Sequence, residues 1–149
     1  MALSRLCLHY SRMYAMVMGS VVVLAAALSL RIYRNGNENQ YIQVVNWVAE
    51  HVREEQWVGA PQSGTLGFFH DRTVNLDGKV NPEALAARLE GIIPEYIATR
   101  TFDETGRRIE YIADWQYISA WAKRPKIESN FDLIVHDVPA NLAVLKRKQ

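Results

Sequence analysis

The sequence predicts two parts: one N-terminal transmembrane helix and a small α/β domain with a mainly parallel sheet and an antiparallel edge. An apolar run without a single charge occupies residues 13–30. After it, short apolar segments typical of strands alternate with helical patterns, as in α/β domains. The remaining chain is long enough for one hydrophobic core. We therefore expect a three-layer, Rossmann-like domain over residues 37–146 and a solvated tail at residues 147–149.

The apolar run has the length of a membrane-spanning helix. A helix of 18 residues covers about 27 Å, close to the thickness of the hydrocarbon core of a bilayer. We place the membrane helix at residues 13–33, after a basic leader at residues 1–12. Small side chains let neighbouring membrane helices approach closely. The residues predicted to pack against other integral membrane proteins are Gly19, Ser20, Ala25, Ala26 and Ala27.

The apolar run also fits two alternatives. A cleaved signal peptide has a basic start, here Arg5 and Arg12, and a small-residue cleavage site such as residues 25–27. The run exceeds the usual apolar region of about 7–15 residues in signal peptides, which favours an uncleaved anchor. A helix in a soluble protein would carry a polar stripe, which this run lacks. Basic residues flank the run on both sides, so loop charge does not decide its orientation.

The first element of the domain is an amphipathic helix predicted over residues 40–56, with Asn37 or Asn39 as its cap. Helical spacing puts five apolar residues on one face: Tyr41, Val44, Val45, Val48 and Val52. We expect this face to pack on the domain. The alternative is a helix lying on the membrane surface, for which the polar face is too acidic.

The rest of the domain alternates strands with helices. Runs of apolar and β-branched residues bounded by turn residues predict the strands, at residues 57–60, 72–76, 109–113, 131–137 and 141–145. The last two form a predicted hairpin. Asn81 is a predicted helix cap with Pro82 at the first helical position. The predicted helical segments cover residues 65–69, 82–98 and 114–122, with loops at 100–108 and 124–126.

The composition argues against several functional classes. A net charge of +1 does not favour nucleic-acid binding. One cysteine, Cys7, excludes a disulfide framework within the chain. No dinucleotide fingerprint or phosphate loop occurs, and the spacing of histidines and carboxylates does not suggest a metal site, so we predict neither cofactor nor metal. Ser63, His70 and Asp77 are the residue types of a catalytic triad, but the nucleophile-elbow pattern is missing. We therefore predict no catalytic residue.

Polar side chains gather where the predicted parallel strands end. Ligands of open α/β sheets bind beyond the carboxyl ends of the strands. The predicted ligand-binding residues are Gln62, Ser63, Thr65, Asn75, Asp77, Asn81, Asp114 and Trp115. This set could hold a sugar through hydrogen bonds to its hydroxyl groups, with Trp115 as a stacking surface. The alternative is that these residues only cap helices and form turns, for which the same residue types serve.

Three segments resemble a known family. They are Val-Gly-Ala-Pro-Gln-Ser-Gly-Thr-Leu-Gly-Phe-Phe at residues 58–69, Val-Asn-Leu-Asp-Gly-Lys-Val-Asn at 74–81 and Tyr-Ile-Ala-Asp-Trp at 111–115. Together they resemble the C-terminal periplasmic segment of polytopic membrane glycosyltransferases of the GT-C class. The resemblance covers residues 37–115. It implies an inner-membrane protein with a cytoplasmic N-terminus and a periplasmic domain after the last membrane helix.

The same resemblance implies a limit on activity. Members of the GT-C class have many membrane helices, a catalytic carboxylate in an early extracytoplasmic loop, and a lipid-linked sugar bound among the helices. No position of this sequence matches that carboxylate. We therefore expect a single-pass, non-catalytic subunit that serves as an interaction module in a larger membrane complex, such as a photosynthetic, respiratory or envelope assembly. Its expected partners are the lipid bilayer and other integral membrane subunits. The alternative is an accessory or truncated part of a membrane glycosyltransferase that uses a lipid-linked sugar.

Overall fold

The computed structural model describes the backbone of residues 2–36 and 41–149, and the side chains of residues 13–31 and 41–149. The chain divides into two compact units, Met1–Glu38 and Asn39–Gln149. The predicted cap residues Asn37 and Asn39, and the predicted start of the domain at residue 37, lie outside the described residues.

The first unit contains helix α1, Ala2–Gly36, which includes both the predicted leader and the predicted membrane helix. Among the described residues, Met13–Arg31 is the one candidate membrane span, with a mean hydropathy of 2.1. Every side chain described in α1 is exposed. The Ser20 hydroxyl donates a hydrogen bond to the Met16 carbonyl (2.9 Å), so the helix itself satisfies this polar group. A signal sequence meets the same criteria of length and apolarity, so an anchor and a signal peptide both fit this helix.

The second unit holds the α/β domain. Within residues 41–149 of this unit, the five strands are β1 (Trp57–Ala60), β2 (Thr73–Asn75), β3 (Ile109–Asp114), β4 (Phe131–Asp137) and β5 (Leu142–Arg147). Its helices are α2 (Ile42–His51), α3 (Ser63–Phe69), α4 (Pro82–Leu89), α5 (Ile93–Thr99), a 3₁₀ helix (Gln116–Lys123) and α6 (Pro125–Asn130).

The strands form one mixed sheet in the order β2-β1-β3-β5-β4. Strand β1 pairs in parallel with β2 and β3, whereas β5 is antiparallel to both β3 and β4. The prediction of an α/β domain with one mixed sheet is confirmed. The β4–β5 hairpin lies at one side of the sheet, as predicted. Within it, β5 lies between β3 and β4, and β4 forms the edge of the sheet. Two of the four pairings are therefore antiparallel, and the sheet is less parallel than predicted.

Two apolar clusters bury the sheet. In β3, Tyr111 and Ala113 belong to the first cluster and Ile112 belongs to the second. They alternate because successive side chains of a strand point to opposite faces of the sheet. The first cluster joins α2 and α3 to the sheet. The second joins α4, α5, the 3₁₀ helix and α6 to it. The central strand is therefore buried on both sides.

Several local predictions hold and others need correction. Asn81 caps α4, since its Oδ1 accepts a hydrogen bond from the Ala84 N–H (3.2 Å), and Pro82 follows it. Helix α2 is shorter than predicted and begins after Tyr41, whose side chain makes no capping hydrogen bond. The predicted loop at 124–126 leads directly into α6, which begins at Pro125; proline suits the first position of a helix because it needs no N–H donor there.

The predicted tail is also corrected. Arg147 ends β5, and its guanidinium donates to the carbonyls of Ile109 (2.6 Å), Ala98 (3.2 Å) and Ile97 (3.0 Å). Two of these carbonyls lie in the last turn of α5, where the helix leaves them without partners. The same guanidinium lies 4.6 Å above the Phe131 ring. Arg147 therefore joins α5 to the sheet, a role that only the folded chain reveals.

We predict that Gly78→Ala destabilises the domain more than Gly91→Ala. Both glycines have positive φ, 85° and 76°, and alanine there costs about 1 kcal/mol in backbone strain. An added Cβ at Gly78 would also lie 2.8 Å from the Leu85 Cα in α4, whereas at Gly91 it would meet no described atom within 4 Å. Such crowding costs a further ~1–3 kcal/mol.

Urea unfolding of the detergent-solubilised full chain, followed by tryptophan fluorescence, measures the difference. All four tryptophans lie in the domain, so the signal reports its unfolding. Equal losses for the two variants would show that the β2–α4 loop does not pack on α4 as described.

Candidate functional site

The strand order reverses at the carboxyl ends of β1 and β3. The chain passes from β1 to β2 on one side, and then returns to add β3 on the other side of β1. In open α/β sheets this reversal leaves a crevice in which ligands bind. We call the ends of β1, β2 and β3 together with the segments that follow them, residues 60–65, 75–81 and 114–117, the strand-end site.

Asp114 is the buried centre of the strand-end site. It ends β3 with 1% of its surface exposed. Its carboxylate accepts hydrogen bonds from the backbone N–H groups of Gln62 (2.6 Å) and Trp115 (2.7 Å). Burial raises the pKa of Asp114 to about 6; the two hydrogen bonds oppose this shift, and the negative charge of Asp77 adds to it. The carboxylate thus joins the loop after β1 to the loop after β3.

A second polar network shapes the loop after β2. The Asn75 side chain donates to the Ser63 hydroxyl (2.8 Å) and accepts from the Gly78 N–H (2.9 Å). The Asn81 side chain donates to the Asn75 carbonyl and to the Tyr96 hydroxyl, both at 2.9 Å. Hydrogen bonds of this kind are typical of side chains that stabilise turns and helix caps. Ligand binding by the same side chains stays a prediction.

Asp77 is a surface partner of Lys79 in that loop. One carboxylate oxygen accepts from the Lys79 N–H (2.9 Å), and the other lies 3.1 Å from the Lys79 ammonium. Partial burial alone would raise the pKa of Asp77. The hydrogen bonds from Lys79 and Asn75, together with the ammonium charge, outweigh burial and hold this pKa below its ordinary value.

The remaining predicted residues lie in the same region. A shallow cavity of about 390 Å³ is lined by Gln62 and Thr65, among others. The Trp115 ring packs 5.5 Å from the Tyr41 ring and 6.5 Å from the Tyr117 ring, measured between centroids. The structure therefore brings the eight predicted residues into one neighbourhood, with Trp115 engaged by other aromatic rings.

Sequence reasoning missed five residues within or beside the strand-end site. A larger cleft of about 910 Å³ begins at Gln62 and Asp77 and extends between α4, α5 and the 3₁₀ helix. The missed residues that line it are Lys79, Arg88, Tyr117, Trp121 and Arg124. The sequence alone could have indicated Lys79, because it lies two residues after the predicted site residue Asp77. The others come from α4, the 3₁₀ helix and the residue before α6, and these elements meet only through the fold.

The comparison with protein families gives one result. A family model described as "Domain of unknown function (DUF8728)" matches residues 29–141, about three quarters of the chain. The chain belongs to this family. No curated protein and no solved structure matches it. In this DUF8728 chain the matched range includes every residue of the strand-end site and of the larger cleft.

Among the described residues of this DUF8728 chain, no three histidine, cysteine or carboxylate side chains are grouped to hold a metal ion. The strand-end site contains two carboxylates, of which Asp114 is buried and Asp77 is ion-paired.

We predict that Asp114→Asn changes the pH dependence of stability. A carboxyl group whose pKa is raised by folding stabilises the protein fully below its unfolded pKa of about 4, and this contribution is lost as pH rises through about 6. From pH 4 to 7 the stability of the variant relative to the wild type should therefore rise, by up to about 3 kcal/mol. Urea unfolding at each pH measures this difference.

Asp77→Asn is the matched control, because the pKa of Asp77 is shifted in the opposite direction. Its ionised form stabilises the fold above the unfolded pKa, and that contribution is lost as pH falls. The Asp77→Asn variant should therefore lose stability relative to the wild type as pH rises from about 3 to 5. A pH-independent offset for Asp114→Asn would show that its carboxyl group is not buried as described.

Proposed function

We propose that this chain is a single-pass, membrane-anchored subunit without catalytic activity of its own, and that its domain is an interaction module in a larger membrane assembly. The observation that carries the proposal is the exposure of every described side chain from Met13 to Arg31. A helix that is apolar all round needs lipid or another apolar helix around it. Within residues 41–149, two buried apolar clusters are built from residues of the second unit.

The proposed domain architecture is a three-layer, Rossmann-like sandwich. Helix α3 follows β1 and contributes Leu66 to one apolar cluster. Helices α4 and α5 follow β2 and contribute residues such as Ala84 and Ile97 to the other. Crossovers on opposite sides of a sheet, with a reversal of strand order between them, are typical of doubly wound folds.

The hydrogen bonds of the strand-end site support a structural role for its polar residues. Both Asp114 oxygens accept backbone N–H groups, and the Ser63 hydroxyl accepts from Asn75. A general base must reach the proton that it removes, and Asp114 is almost completely buried. We therefore propose that these groups hold a rigid surface for a partner rather than carry out a reaction.

The proposed location is the inner membrane, with the N-terminus in the cytoplasm and the domain in the periplasm. This orientation follows from the resemblance to the C-terminal segment of GT-C glycosyltransferases. The same resemblance supports a second candidate function, an accessory part of a glycosyltransferase that uses a lipid-linked sugar. The cleft beside Gln62 and Asp77 favours this candidate, because it leaves space for a small molecule at the strand ends.

We expect the helix to be retained and to anchor the chain. The intact mass of protein purified from native membranes should include residues 1–30, and alkaline carbonate should not extract it. Leu24→Arg places a charge in the middle of the span and costs roughly 2.5–3.5 kcal/mol of insertion free energy, so more of the chain should become extractable. Leu24→Ala is the control and should remain in the membrane. A mature chain that lacks the helix would identify a signal peptide and contradict the proposal.

We also expect the small residues of α1 to contact a partner helix. Gly19 and Ala26 lie seven residues apart, and so on one face, whereas Val21 points elsewhere. Gly19→Leu with Ala26→Leu should reduce the amount of co-purifying membrane protein at least several-fold, because bulky side chains keep the helices apart. Val21→Leu should leave it unchanged. Purification in mild detergent followed by mass spectrometry measures both, and a wild-type chain without partners would contradict the proposal.

A further inference from the structure

The lining of the larger cleft combines cationic and aromatic side chains. We call it the basic cleft and define it by Lys79, Arg88, Tyr117, Trp121 and Arg124. Its volume of about 910 Å³ lies within the range of small-molecule sites. The three cationic side chains come from the loop after β2, from α4 and from the residue before α6. The two aromatic side chains come from the 3₁₀ helix. Ile93, Pro94 and Pro125 add apolar surface.

The charge in the basic cleft is unbalanced. Its lining contains three cationic groups and one carboxylate, that of Asp77, which leaves an excess of two positive charges. The carboxylate pairs with Lys79. Among the described residues, no carboxylate lies within ion-pair distance of Arg88 or Arg124. An anion bound in the cleft would restore the balance.

The two arginines of the basic cleft keep most of their hydrogen-bond donors available. A guanidinium carries five N–H donors. Arg88 uses one Nη atom to donate to the Asp77 carbonyl (3.0 Å). Arg124 lies 4.8 Å above the Trp121 ring, a contact with the face of the ring that orients the guanidinium. Arg147 differs from these two arginines, because each of its three guanidinium nitrogens donates to a backbone carbonyl.

Neighbouring side chains contact both aromatic residues of the basic cleft, and Tyr117 adds a hydroxyl group. Trp121 packs against the apolar cluster of α4 and α5. Burial raises the pKa of Tyr117, and the negative charges of Asp114 and Asp77 raise it further. The phenol therefore stays protonated at neutral pH and can donate a hydrogen bond. A ligand with an anionic end and a ring would find both hydrogen-bond donors and apolar surface in the lining of the cleft.

We propose that the basic cleft binds a phosphorylated small molecule, with Arg88 and Arg124 holding the phosphate and Tyr117 and Trp121 contacting the organic part. The planar fork of a guanidinium matches two phosphate oxygens at once. Two such forks and the Lys79 ammonium favour a phosphate with more than one negative charge over a single carboxylate. The phosphate could belong to a soluble ester or to a lipid headgroup. The inference does not depend on whether the chain assembles with partner subunits.

The test uses the full chain in lipid nanodiscs of phosphatidylcholine. Isothermal titration with uridine diphosphate, inorganic pyrophosphate and uridine separates the contribution of the phosphate from that of the ring. We expect uridine diphosphate to bind more tightly than pyrophosphate, and uridine to bind at least tenfold more weakly than the diphosphate. Quenching of tryptophan fluorescence by uridine diphosphate should accompany binding, because Trp121 lines the cleft.

Three matched variants test whether uridine diphosphate binds in the basic cleft. Arg88→Gln and Arg124→Gln should each weaken binding of uridine diphosphate about tenfold or more, because each removes charged hydrogen bonds to the phosphate. Lys123→Gln makes the same change of charge one residue from Arg124. Since Lys123 does not line the cleft, this variant should bind within about twofold of the wild type. Circular dichroism checks that all three variants are folded.

A second arm separates the two sources of phosphate. Nanodiscs that contain phosphatidic acid should compete with uridine diphosphate if a lipid headgroup occupies the cleft, and this competition should be lost in Arg88→Gln. Competition supports a lipid ligand, and its absence together with arginine-dependent binding of the diphosphate supports a soluble one. Failure of uridine diphosphate, pyrophosphate and phosphatidic acid to bind would overturn the proposal. So would binding that both arginine variants retain.

Discussion

The buried carboxylate of Asp114 is the constraint on which the ligand-facing end of this domain depends. It lies where the sheet reverses its strand order, and it accepts one N–H group from each of the two loops that diverge there. A buried carboxylate without donors would be costly, so these two hydrogen bonds must be kept for the fold to hold. Gln62, one of the two donors, borders both the shallow cavity and the basic cleft. The Asp114 carboxylate therefore holds in place the loop that borders both spaces.

The domain has two kinds of cationic side chain: those whose donors hold elements of the fold together, and those whose donors are available to a ligand. Arg147 is half-buried and directs its donors at carbonyls of α5 and β3, so it joins elements and has little left for a ligand. Arg88 and Arg124 lie at the surface of a cleft, and an aromatic face or a single carbonyl orients them. The polar residues of the strand-end site resemble Arg147 in this respect, because Asn75 and Asn81 form hydrogen bonds within their own loop and, through Ser63, to the segment after β1. The capacity for binding thus lies beside the predicted site more than within it.

Local signals predicted much of the fold. Strands β1 and β4 have the predicted bounds, and Asn81 caps α4, because β-branched runs and cap residues act over a few positions. The strand-end residues meet because parallel strands end at the same edge. The basic cleft was not predicted, since its cations come from three elements whose contact depends on how α4 and the 3₁₀ helix pack. Arg147 was assigned to the tail for a similar reason. The basic C-terminal sequence does not indicate that its guanidinium will bind backbone carbonyls of distant elements.

The most direct test of this account is the titration of the Asp114 carboxyl group itself. In the full chain, labelled with ¹³C at aspartate and held in detergent micelles, the Asp114 carboxyl resonance can be assigned by its loss in Asp114→Asn and followed from about pH 3 to 8. Burial between the two loops predicts a midpoint near 6, well above the ordinary value for aspartate. A midpoint below about 4.5 would show that Asp114 is solvated. In that case the two loops would not be joined as described, and the spaces beside them would lose their physical basis.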